Sequence, residues 1–173
     1  KNLLLFVPLL AAHQADNIQS LLTLFFAFIS FSMCASAVYM TNDLLDLESD
    51  RSHPRKRDRP FAAGTLPITA GALLVPLFIM ISLLLGLVVG SAFLVWLILY
   101  LALTSIYSLS LKRIALIDCL MLAALFTIRV IAGAAAVSVQ LSFWLLAFSM
   151  FIFLSLAFVK RYAELQVQLQ EGN

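Results

Sequence analysis

The chain has 173 residues, of which 63% are hydrophobic and only 12% charged, with a mean hydropathy of +1.04. Soluble domains carry about 25% charged residues, so a water-soluble globule is excluded and an all-α integral membrane bundle embedded in lipid is the expected class. The formal charge of +2 says little by itself, and no nucleic-acid partner is expected.

The sequence starts at Lys1 and stops at Asn173 just after a charged cluster, so both ends are expected to be cut from something longer, within one transmembrane transferase domain over 1–173. No signal peptide is visible. A bilayer span needs roughly 20 apolar residues. Residues 2–12 fall short of that and contain Pro8, which predicts the remainder of a helix whose beginning is missing. Full spans are predicted at residues 21–41, 68–89, 92–111, 114–137 and 141–159, with Pro76 as a kink site. With the first partial helix that makes six. Cys34 and Cys119 lie inside apolar segments and are read as packing residues, not as a disulfide.

Threading the spans in order brings the basic junctions to one face. That face holds Arg51, Arg55, Lys56, Arg57 and Arg59, then Lys112 and Arg113, then Lys160 and Arg161, with Lys1 at the start. The other face holds one charge, Asp16, and no Lys or Arg. Cytoplasmic loops carry the excess of Lys and Arg, so a multi-pass protein of the plasma (inner) membrane is expected, with the stretch 42–67 facing the cytoplasm.

That stretch concentrates the chemistry. Between positions 43 and 59 sit ten of the twenty charged residues, five of them acids: Asp43, Asp46, Glu48, Asp50 and Asp58. Topology explains basic residues there but not acidic ones. If the preceding helix continues, Asn42, Asp46 and Asp50 project from one face at four-residue spacing, an array of hard oxygen ligands. Mg²⁺ suits such oxygens and is usually held by one or two carboxylates together with substrate phosphates. Arg55, Lys56 and Arg59 are then placed to meet phosphate oxygens, with Arg as a fork and Lys as a point charge. The bland alternative is a solvated loop, against which like charges at helical spacing speak, since they repel unless something binds them. A calcium loop of the EF-hand kind lacks its alternating acids and fixed Gly.

The run Asn42-Asp43-Leu44-Leu45-Asp46-Leu47-Glu48-Ser49-Asp50, followed by Arg59-Pro60 and Gly64, resembles the first aspartate-rich motif of the UbiA superfamily of membrane-embedded transferases. The resemblance extends along essentially the whole chain and implies about nine helices, of which about six are present here. It also implies that the motif binds Mg²⁺ and the diphosphate of a donor, at the cytosolic mouth of a cavity open to lipid. Asp46 and Asp50 then carry catalysis through the metal, and Asp43 contributes to substrate binding. The second family motif departs. Prenyl-diphosphate users carry two aspartates after Tyr-Ala, whereas this chain reads Lys160-Arg161-Tyr162-Ala163-Glu164-Leu165, with no aspartate to its end. Together with His53-Pro54 and Lys56, this looks most like the branch that moves phosphoribose from 5-phosphoribosyl diphosphate onto a polyprenyl phosphate. In that branch Lys160, Arg161, Tyr162 and Glu164 are the expected donor contacts. The resemblance further suggests that Tyr107 and Lys112 hold donor phosphates, although both also suit a membrane-interface anchor.

Arg129 lies mid-span, where a charge is a functional candidate by default. Asp118, eleven residues before it, shares its helix face but is too distant to pair. Both are assigned to substrate binding. The expected reaction displaces diphosphate from C1 of phosphoribose, with an allylic prenyl carbon as the alternative. A transporter or lipid-binding scaffold is the reading of another class, and it would place ionisable groups near mid-bilayer, where only Arg129 qualifies. The isoprenoid length, the acceptor and the oligomeric state are left open by the sequence.

Overall fold

The computed structural model describes residues 1–13, 16–54, 56–109 and 115–171. Among them all regular structure is helical. A 3-10 turn over Asn2–Phe6 runs into α1 (Val7–Ala11), and α2 (Ile18–Leu45) is separated from α3 (Leu47–Ser52) only by Asp46. α4 (Ile68–Val89), α5 (Ser91–Leu109), α6 (Ala115–Ala136) and α7 (Phe143–Glu171) complete the chain. Five of these, α2 and α4 to α7, are long and apolar enough to cross a bilayer.

The helix ends follow from local chemistry. Asn17 caps α2, its side-chain oxygen accepting from the Gln19 and Ser20 backbone N–H at 3.0 and 3.2 Å, which satisfies two of the donors a helix start leaves open. α4 begins after the extended Pro67, continues through Pro76 and stops at Gly90. Gly90 has φ +142°, outside the range of ordinary L-residues, so the chain reverses into α5 over a single residue that only glycine accommodates easily. Pro8 sits in the first turn of α1, where its missing N–H costs nothing.

α6 is the most enclosed of the spans, while α4 and α7 are the most exposed. On α4, Leu73, Met80, Leu84 and Leu87 face outward, and on α7 so do Phe148 and Phe151; lipid is as apolar as these side chains. The core joins Leu5 and Leu9 to Leu24, Phe31, Phe93, Leu97, Leu125 and Ile128. Ser30 of α2 and Ser82 of α4 exchange hydrogen bonds, each hydroxyl donating to the other's backbone carbonyl at 2.7 and 2.8 Å. The 3-10 turn rests on α6 so closely that a methyl at Gly133 would lie 2.0 Å from the Leu5 carbonyl oxygen.

Three expectations are amended here. Residues 2–12 do not form one helix remainder but a 3-10 turn and a five-residue α-helix. Ten residues rise only about 15 Å as a helix, so Lys1 does not mark the basic face; its ammonium lies over the Phe126 ring at 5.9 Å. The stretch 42–67 is helical as far as Ser52. The last helix runs beyond the apolar stretch 141–159 to Glu171, because Lys160 to Glu171 is rich in good helix formers.

Candidate functional site

Twenty-eight residues give α2 a length of about 42 Å, against about 30 Å for the hydrocarbon core, so its acidic end stands clear of the apolar layer. The helix falters at Asp46 (φ −91°, ψ 10°). The backbone N–H of Asp46 still donates to the Asn42 carbonyl at 2.9 Å, and that of Asp50 to Asp46 at 2.8 Å. The four-residue rise of the motif is therefore kept across the break. The side chains then diverge in their partners. Asn42 accepts from the Ser108 hydroxyl of α5. Arg59 Nη1 donates to Asp50 Oδ2 at 2.8 Å and to Asp43 Oδ1 at 2.9 Å.

Asp43 is displaced from the four-residue series, yet it is seven residues from Asp50, close to two turns, and shares Arg59 with it. Asp50 is buried, only 1% exposed, and its Oδ1 is without a hydrogen-bond partner. Arg59, which the sequence assigns to substrate phosphate, rests on these two carboxylates in the structure. Phe61, buried in the otherwise polar loop, pins the segment after Arg59 against Gly71 of α4 and Leu44 of α2.

Behind the acidic end lies a cavity of about 220 Å³ between α2, α5, α6 and α7, lined by Tyr39, Asn42, Tyr100, Thr104, Tyr107, Arg129 and Lys160 together with Lys1 and apolar residues. A second hollow, about 310 Å³ and almost wholly apolar, lies on the α4 side and shares Val38 and Asn42 with the first. Tyr107 donates its hydroxyl to the buried Asp118 across the α5–α6 pair. Arg129 is 4% exposed. Its Nε donates to Asn2 Oδ1 at 3.1 Å, Nη1 to the Leu125 carbonyl at 2.7 Å and Nη2 to the Tyr100 hydroxyl at 2.8 Å. The rings of Tyr100 and Phe126 lie 4.8 and 5.3 Å from its guanidinium carbon.

The structure thus brings Asn42, Tyr107, Arg129 and Lys160 to one cavity, and Asp43, Asp50 and Arg59 to one ion-pair cluster. Asp46 and Asp50 both lie within electrostatic range of Asp43. Arg161 and Tyr162 do not line the cavity; the exposed Tyr162 hydroxyl accepts from Gln166 Nε2 at 2.8 Å. Lys56 is exposed on the loop. Arg55, Lys112 and the Glu164 side chain lie outside the described residues. Sequence reasoning passed over Tyr39, Tyr100, Thr104 and Ser108. A signal for most of them exists, since Tyr100, Thr104, Tyr107 and Ser108 recur at helical spacing along α5 as a polar stripe.

The donor set at the acidic end consists of hard oxygens, and the buried Oδ1 of Asp50 has no hydrogen-bond partner, a polar atom open to a further ligand. Among the described residues no three His, Cys, Asp or Glu side chains converge closely enough to hold a metal unaided.

The sequence model of the UbiA prenyltransferase family matches residues 3–169. The chain belongs to that family. Its fold is accordingly that of an all-α, multi-pass membrane protein. Among UbiA relatives, it is 40% identical to the uncharacterized protein y4nM of Sinorhizobium fredii, covering 95% of this chain and 32% of that one. It is 36% identical to the nodulation protein NoeC of Azorhizobium caulinodans, over 99% of this chain and 56% of the relative. Against the decaprenyl-phosphate phosphoribosyltransferase of Mycobacterium tuberculosis the identity is 35%, over 99% of this chain and 58% of that enzyme. The chain therefore spans between about a third and three fifths of the length of these relatives.

Proposed function

We propose that the intact protein is a Mg²⁺-dependent membrane transferase that moves phosphoribose from 5-phosphoribosyl diphosphate onto a polyprenyl phosphate, with its donor site at the cytoplasmic face of the plasma membrane. The observation that carries this reading is the shared cavity. Asn42, from the aspartate-rich run, lines it together with Arg129 and Lys160, a setting for a polar, multiply charged donor more than for a prenyl chain. The relatives named decaprenyl-phosphate phosphoribosyltransferase, 35 to 38% identical, support the same choice.

Asn42, Asp46 and Asp50 are the residues that would hold Mg²⁺. Asn42 keeps a lone pair beside the one Ser108 occupies, and Asp50 offers Oδ1. Bound there, the ion supplies positive charge where negative charge grows on the leaving diphosphate. The chain's own residues do the rest. Arg59 and Phe61 fix the loop against the carboxylates, Asp118 orients the Tyr107 hydroxyl at the cavity wall, and Lys160 adds a cation at the same face. No nucleophilic side chain is required, because a lipid phosphate oxygen can attack the anomeric carbon while diphosphate departs. The lipid substrate enters from the bilayer and the charged donor from the cytosol, so the two meet at the end of α2.

The test is incubation of the intact membrane protein with Mg²⁺, radiolabelled 5-phosphoribosyl diphosphate and a polyprenyl phosphate, followed by lipid extraction. Label should enter the lipid phase only when Mg²⁺ is present. No labelled lipid, with isoprenyl transfer from farnesyl or geranylgeranyl diphosphate instead, would replace this reading with a conventional prenyltransferase.

A further inference from the structure

We propose that Arg129 anchors a second anionic group of the substrate, a phosphate monoester, deep in the polar cavity and apart from the diphosphate at the acidic end. The nature of the molecule rests on the transferase reading above; the existence of the anion site does not.

The first argument is charge. Arginine stays protonated in any protein environment, and Arg129 is buried in the middle of a membrane span. Its three protein acceptors are an amide oxygen, a backbone carbonyl and a phenol. None carries a negative charge, and among the described residues no Asp or Glu pairs with it. Asp118, the acid on its own helix face, is engaged with Tyr107. A buried charge without a counter-charge is costly, and intramembrane charges mark sites where an ion or substrate supplies what is missing. The tyrosine and phenylalanine rings beside the guanidinium offset part of that cost. They do not neutralise it.

The second argument is capacity. A guanidinium has five N–H donors, and three are taken by the described acceptors. Two remain on a group that lines an open cavity. The described lining includes no Asp or Glu, so the field of Arg129 inside the cavity favours an anion.

The third argument is separation. Arg129 follows Asp118 by eleven residues, about 16 Å along the helix, and its side chain turns back one helical turn to reach Leu125. The guanidinium therefore lies about 11 Å below the level of Asp118 and Tyr107. A single diphosphate does not need cations at both ends of such a space. A molecule, or a pair of reacting molecules, with two separated phosphate groups does. The monoester has two possible sources, the 5-phosphate of the sugar donor and the phosphate of the lipid acceptor.

Calorimetry on the intact protein in lipid nanodiscs, in Mg²⁺, tests the site with three probes: inorganic diphosphate, ribose 5-phosphate and farnesyl phosphate. Arg129→Gln should weaken at least one monoester tenfold or more, while diphosphate affinity stays within twofold. Selective loss of ribose 5-phosphate assigns the site to the donor, and selective loss of farnesyl phosphate assigns it to the acceptor. Arg129→Lys keeps the charge without the fork and should fall between parent and Gln variant; it also serves if the Gln variant does not fold. Unchanged binding of both monoesters, or a parallel fall in diphosphate binding, overturns the proposal in favour of a structural arginine. A parent protein that binds a monoester through Arg129 but no diphosphate with Mg²⁺ supports the site and removes the transferase reading.

Discussion

At the scale of single residues, Arg59 has two competing tasks. It neutralises Asp43 and Asp50 in the structure described here, and those acids belong to the set proposed to hold a metal. Arg59→Gln removes a charge-assisted pair from a buried carboxylate, a loss of about 1.5 to 3 kcal/mol, discounted toward the lower value because the arginine itself is 39% exposed. The same change makes the carboxylates a better cation site. Adding Mg²⁺ or Mn²⁺ should therefore raise the melting temperature of the variant more than that of the parent, and a thermal-shift titration in detergent reads the difference. Equal shifts would mean that Arg59 and the metal do not share these oxygens. Asp46→Asn and Asp50→Asn should both abolish transfer at ordinary Mg²⁺, but they should differ in stability. Asp50 is buried, whereas Asp46 is partly exposed, so the Asp50 variant should melt earlier than the Asp46 variant; the reverse order would remove Asp50 from the packed cluster.

Among the elements, α2 and α6 carry the contacts that set the site's depth and width, and both rely on small residues. Without a hydrophobic drive between helices in lipid, close backbone approach and interhelical hydrogen bonds hold a bundle together. Ser30 and Ser82 supply such a pair, and replacing either by Ala should cost about 0.6 kcal/mol. Gly133 is more demanding, because Leu5 backbone occupies the place its side chain would take. Gly133→Val should push the 3-10 turn off α6 and cost about 1 to 3 kcal/mol through overpacking. It should also disturb Arg129, since Asn2 in that turn holds its Nε. Reduced yield of folded protein by fluorescence-detected chromatography would show this; a variant as stable as the parent would mean that the turn does not rest on α6. Helix positions here were legible from apolar run length alone, to within a few residues. The exception was the end of α7: helix-forming polar residues continue it past the apolar run, so loss of hydropathy did not mark loss of helix. The break of residues 2–11 into two pieces was signalled only by Pro8.

For the molecule as a whole, the helical register of Asn42, Asp46 and Asp50 was legible in the sequence, because the i to i+4 backbone bonds continue through all three and helical geometry turns sequence distance into direction. Partners from distant elements had no such signal. Arg129 meets Tyr100 at a separation of 29 residues and Asn2 at 127, and nothing in a single sequence encodes those pairings. Phe61 holding the loop is likewise visible only in three dimensions. What both descriptions share is the charge asymmetry, and it leads to a prediction about orientation. α2, α5 and α7 run toward the acidic face and α4 and α6 away from it, which gathers the acids, Arg59 and Lys160 on one side. Excess Lys and Arg belong in the cytoplasm, where a charged sugar donor is also found under the proposed function. Ser52 and Gln140 are exposed at opposite faces, and within this stretch Cys34 and Cys119 are buried; the parent without either substitution gives the background labelling. With a membrane-impermeant maleimide on intact cells, Gln140→Cys should label at once and Ser52→Cys only after permeabilisation. Strong labelling at position 52 in intact cells would invert the protein, place its acids outside, and leave a cytosolic diphosphate donor with no site to reach.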